Sequence, residues 1–123
     1  MIVRAPEGSA FLADAPLLYR LSGGTAAQPQ PAADFRFSRT ERVRLEVPAA
    51  LDAGGAAGRV LDRVGQPLAV PVAMSERVDD RGTRWLVADI TLGQLYSGDY
   101  GIEIAAERAG AREMIVTAIR VVR

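Results

Sequence analysis

The side chains that could do chemistry in this chain are carboxylates, Tyr, Ser, Thr and Arg. Its 123 residues hold fifteen Asp and Glu and fifteen cationic residues, all of them Arg, with no Cys, no His and no Lys. Without Cys there is no thiolate nucleophile, Fe–S cluster, disulfide or thiolate zinc site. Without His the commonest general base and zinc ligand are missing, and a Ser-His-Asp triad cannot be built. Without Lys there is no Ser-Lys pair, no Schiff base and no phosphate-binding loop of the kind that needs Lys. Paired carboxylates would still permit glycoside-type hydrolysis. A carboxylate-dependent hydrolase is therefore kept as an alternative, while the expectation is a non-enzyme that uses no cofactor and no metal.

Two binding chemistries can be weighed on particular residues. Asp79, Asp80, Asp89 and Asp99 lie near expected turns, but they form no D-x-D-x-D run of the sort that converges on calcium. Trp85, Tyr19 and Tyr96 could stack on sugar rings, which makes a carbohydrate-binding module a second alternative. With seven aromatic residues in all, a broad coplanar platform is not expected. Net charge is zero, which argues against a nucleic-acid partner. The abundance of Arg beside Ala, Gly and Val fits a codon bias, and Arg favours planar ion pairs laid across a sheet surface.

The elements that must position these residues read as strands. An irregular stretch covers residues 1–15, and a short strand is expected over 16–21. Residues 22–34 are rich in Gly, Pro and Ala and read as the most mobile loop. From Phe35 the pattern has period two. Phe35 and Phe37 look like core, then Val43, Leu45 and Val47 alternate with Arg42, Arg44 and Glu46. Arg39 and Glu41 interrupt that face, as a bulge would. The Gly-Ala stretch up to Gly58 reads as a loop and 58–63 as a strand. Leu68, Val70, Val72 and Met74 read as an edge strand, since Pro71 cannot donate to a ladder. Asp79 to Gly82 is a hairpin turn, and further strands follow at Trp85–Leu92, from Tyr100, and at Glu113–Val122. About seven strands and no helical period imply an all-β, single antiparallel Greek-key sandwich, immunoglobulin-like or fibronectin-III-like. One domain is expected over 1–123, with its sandwich core at 35–122.

Leu95, Gly98 and Tyr100 have the form of a tyrosine corner, in which the Tyr100 ring is largely buried and its hydroxyl bonds backbone between Leu95 and Gly98. Leu86, Ala88, Ile90 and Leu92 form the core face of their strand, leaving Trp85 and Val87 on the other. The last strand is apolar on both faces, with Met114 and Val116 opposite Ile115 and Ile119. Trp85, Val87, Met114 and Val116 are therefore the candidate interaction surface, in two separate patches. Residues 1–18, including Phe11, Leu12, Leu17 and Leu18, could cover Trp85 and Val87, or a partner could.

Phe35 to Val47, Val60 to Val72, Trp85 to Leu92 and Gly98 to Glu103 together resemble the C-terminal region of exported bacterial proteins of the acidobacterial type that carry a von Willebrand factor A-related domain. The resemblance spans roughly residues 11–122. It implies an accessory, non-catalytic interaction or spacer module that packs on a neighbouring domain of the same polypeptide or on another protein, outside the cytoplasm. The N-terminus has no signal-peptide h-region, which leaves either a cytoplasmic protein or a mature or excised domain, and the resemblance implies the second. No run is long enough to insert in a membrane, the Leu68–Met74 stretch being far short of a span.

Overall fold

A computed structural model of the chain describes Leu12 and residues 16–21, 29–32 and 34–123. Ten strands follow in order: β1 Leu17–Leu21, β2 Gln30–Pro31, β3 Arg36–Ser38, β4 Arg42–Ala49, β5 Gly54–Leu61, β6 Pro67–Leu68, β7 Ala73–Val78, β8 Arg84–Thr91, β9 Gly98–Arg108 and β10 Ala111–Val122. There is no helix among the described residues. The strands form two five-stranded sheets, β2-β1-β4-β8-β7 and β3-β10-β9-β5-β6. Every pairing is antiparallel except β3 with β10, which run parallel. The fold is all-β and sandwich-like.

Period-two alternation explains the shared core. Val43, Leu45 and Val47 of β4 and Leu86, Ala88 and Ile90 of β8 belong to one buried cluster with Ile102, Ile104 and Ala106 of β9 and Ile115, Ile119 and Val121 of β10. Each fully buried Ile or Leu contributes about 1.5–3 kcal/mol. Leu12 is 1% exposed in the same cluster, bridges Ala49 and donates its amide to Glu113 Oε1 at 2.7 Å. Glu113 is itself 1% exposed, so a carboxylate sits among the inward-facing apolar residues of β10 and meets a backbone donor there.

Four expectations are corrected. The break at Arg39 and Glu41 is a crossover and not a bulge: Phe37 enters the core from the second sheet and Val43 from the first. The stretch Leu68–Met74 is likewise no single strand. It passes from β6 at the edge of one sheet to β7 at the edge of the other, with Pro71 outside both. The Gly-Ala stretch is part of β5, with a register shift between Gly54 and Ala57. Phe35 is 49% exposed under the Arg120 guanidinium, 5.9 Å from the ring centroid, and is not core. Most of the loop expected at 22–34 lies outside the described residues, but Gln30 and Pro31 pair with Arg20 and Tyr19. At the far end, Ala109 (φ 51°) and Gly110 (φ 82°) close β9 onto β10, the primed two-residue turn that matches strand twist.

Candidate functional site

The outer face of the first sheet carries an arginine–carboxylate ladder. Arg44 Nε donates to Asp89 Oδ1 at 2.8 Å across β4 and β8. Arg77 Nη2 reaches Glu46 Oε1 at 2.6 Å. Arg77 is on β7 and Glu46 on β4, with β8 between them, so this pair spans roughly two strand spacings, about 10 Å. It must cross β8 where Trp85 and Val87 point outward. The Arg77 guanidinium lies 5.0 Å from the Trp85 ring centroid, and Val87 is 4% exposed. Among the described residues Arg77 lies over Trp85, its long arm shielding apolar surface while its head stays polar. Leu12 is in the core, Leu17 is 40% exposed, and Phe11 lies outside the described residues.

Trp85 is further fixed by its own hairpin. Its indole N–H donates to Asp79 Oδ2 at 2.9 Å, and Asp79 Oδ1 accepts the Arg81 and Thr83 amides. The indole first, and then the Thr83 amide, holds the Asp79 carboxyl below its ordinary value of 3.8. A depressed carboxyl stabilises the fold above its unfolded pKa, and that contribution disappears as pH falls through the lower folded value. The indole N–H resonance should therefore titrate with a midpoint below 3.8. A midpoint at or above it would show that the bond is not maintained.

Tyr100 Oη donates to the Tyr96 carbonyl at 2.8 Å. The ring is half-buried against the core and not largely buried, because it stands where two clefts meet. Leu95 is 4% exposed, and Gly98 sits beside the ring and hydroxyl at 3.9 and 4.0 Å from where a Cβ would be. Solvent reaches this hydroxyl, so Tyr100→Phe should cost only about 0.5–1.5 kcal/mol in a urea melt. A loss well above that range would mean the bond is sealed from water.

The outer face of the second sheet is built differently. Arg120–Asp99 at 2.7 Å and Arg112–Glu107 at 3.6 Å stand at either end, and Arg59–Glu103 at 2.7 Å lies between. Beside these pairs run Met114 and Val116, both half-buried, and Ala118, exposed. Leu61, Gly101, Val116 and Ala118 continue into an open cleft of about 510 Å³ beneath the β5–β6 turn. Trp85 and Val87 thus lie on one sheet and Met114 and Val116 on the other, as two patches facing opposite ways.

The other candidates are dispersed. Asp89 pairs with Arg44, Asp99 with Arg120 and Asp79 with the indole, and no group of three metal-ligating side chains occurs among the described residues. Tyr19 and Trp85 share the first sheet's outer face, but Tyr96 is 82% exposed in the turn before β9, so the three do not make one platform. Asp62 and Asp99 do line the same cleft. Asp62 accepts the Val64 and Gln66 amides. Arg120 holds the Asp99 carboxyl below its ordinary value, opposite to the raised pKa of a carboxyl acid catalyst. Among the described residues no helix is long and apolar enough to cross a membrane.

These features define a two-sheet, all-β domain with Arg–carboxylate pairs on both outer faces, Arg77 lying over Trp85 on the first and Met114, Val116 and Ala118 running beside the pairs on the second. The chain matches no protein-family model, no curated protein and no solved structure.

Proposed function

We propose that this chain is a non-catalytic interaction or spacer module, an immunoglobulin-like Greek-key sandwich that packs on a neighbouring domain through the outer face of its second sheet. The observation that carries the reading is the contrast between the two outer faces. Arg77 lies over Trp85 on the first, whereas among the described residues no cation–ring contact or ion pair reaches across β10 over Met114, Val116 and Ala118 of the second. The strand order supports the immunoglobulin-like class: β1-β4-β8-β7 against β10-β9-β5 corresponds to the ABED and GFC order of that fold. The chain departs from antibody-type domains in lacking Cys and in carrying its one Trp on β8. Placement in an exported polypeptide with a von Willebrand factor A-related domain rests on the sequence resemblance alone.

Oxidative footprinting tests the packing. Met114 lies on the proposed face, and Met74, which packs against the core, is the internal reference. In the product of the complete gene, Met114 should oxidise several-fold more slowly than in this chain alone, with Met74 unchanged. Equal Met114 rates in the two would overturn the reading.

A further inference from the structure

The cleft on the second sheet has a floor made by a missing side chain. Gly101 lies in β9 between Leu61 of β5 and Ala118 of β10. A Cβ there would come 3.0 Å from Val116 Cγ1 and 3.7 Å from Leu61 Cβ, so any larger residue would fill the hollow. The walls are Leu61, Val64, Val116 and Ala118. Val64, 75% exposed, overhangs on the β5–β6 turn. A volume of about 510 Å³ falls in the range that holds small ligands or a few side chains.

The rim is selective in its hydrogen-bonding. Its two carboxylates are engaged, Asp62 with the Val64 and Gln66 amides and Asp99 with Arg120. Arg63, exposed at the rim, forms no ion pair with a described residue and has only a longer-range attraction to Asp99. Its guanidinium therefore offers a fork of free donors that matches a carboxylate. We infer that the groove floored by Gly101 receives an apolar side chain of a protein segment, with an adjacent carboxylate of that segment held by Arg63. This rests on the reading of the chain as an interaction module and names the chemistry of the segment it would take.

The test uses fluorescein-labelled nine-residue peptides with a central Leu-Leu flanked by Glu, Gln or Lys, read by anisotropy against the whole chain. The Glu peptide should bind saturably, the Gln peptide about tenfold more weakly, as loss of a charge-assisted bond implies, and the Lys peptide not at all. Arg63→Glu should reverse the order of the Glu and Lys peptides. Ala118→Glu, at an exposed position, should abolish binding of the Glu peptide while the thermal melt stays unchanged. Saturable binding of octanoate with none of the peptides, equal binding of all three peptides, or no binding at all would each overturn the inference. The outcomes separate the two proposals. Lost Met114 protection with intact peptide binding defeats the packing on a neighbouring domain and leaves the groove. Intact protection without peptide binding defeats the groove alone.

Discussion

Replacing Arg77 with alanine is expected to move Trp85 emission to longer wavelength and to cost about 2–3 kcal/mol. Two effects combine. Glu46 is 4% exposed and relies on Arg77 for its charge partner, and breaking a buried pair from one side costs about 3–5 kcal/mol. Here the figure is lower, because the Arg77 side chain is 42% exposed and water can enter where it stood. The same truncation removes the cation over the indole, worth about 0.5–1 kcal/mol at an exposed site, and opens Val87 to solvent. Arg77→Met separates the terms. Its unbranched apolar arm should restore most of the emission while leaving Glu46 without its cation, so stability should recover only in part. Unchanged emission in Arg77→Ala would mean that something else covers Trp85. Denaturant melts followed by fluorescence read both quantities together.

Phe37→Ala is expected to cost about 3–5 kcal/mol, more than Arg77→Ala. Phe37 is fully buried, stands in a strand of three residues and is capped by the Arg20 guanidinium 4.8 Å from its ring. Its loss opens a cavity that the short strand has few other contacts to close. Phe35→Ala, two residues away on a half-exposed ring, should stay within about 1 kcal/mol. Similar losses for the two would contradict the described placement of both rings.

Alternation made the strands legible, and the same alternation concealed where the chain changes sheets. Phe35, Phe37, Val43, Leu45 and Val47 keep one parity through the crossover at 39–41. Leu68, Val70, Val72 and Met74 keep theirs through 69–72. Both sheets face a common core, so a chain that switches sheets can preserve its in-and-out rhythm, and no break in pattern marks the passage. The two-residue β2 is too short to carry any period, and the unbroken rhythm merges β3 with β4 and β6 with β7, which is why the sequence shows about seven strands where the described residues form ten. The faces of β8 and β10 could be read from residue types. The cover on Trp85 could not, because Arg77, directly opposite it in the same hairpin, lies over the indole only by reaching past β8 toward Glu46 on the next strand. Nor could the groove: a glycine in a strand reads as a weak spot, and only the three-dimensional positions of Leu61 and Val116 turn it into a floor. Glu113 shows the same limit, since a carboxylate in a strand ordinarily signals the wet face.

The parallel pairing of β3 with β10 gives this domain a direction in which it is hard to pull apart. Phe37 lies opposite Val121, and both strands run the same way. Tension on the two ends of the span from Asp34 to Arg123 therefore drags the strands past each other lengthwise. Their backbone bonds and the buried Phe37 side chain must then give way nearly together, whereas a hairpin pulled at its open end yields one bond at a time. A molecule held at Asp34 and Arg123 would bear stretching through shear across this short seam, and its extension under load would be set by how firmly Phe37 is held.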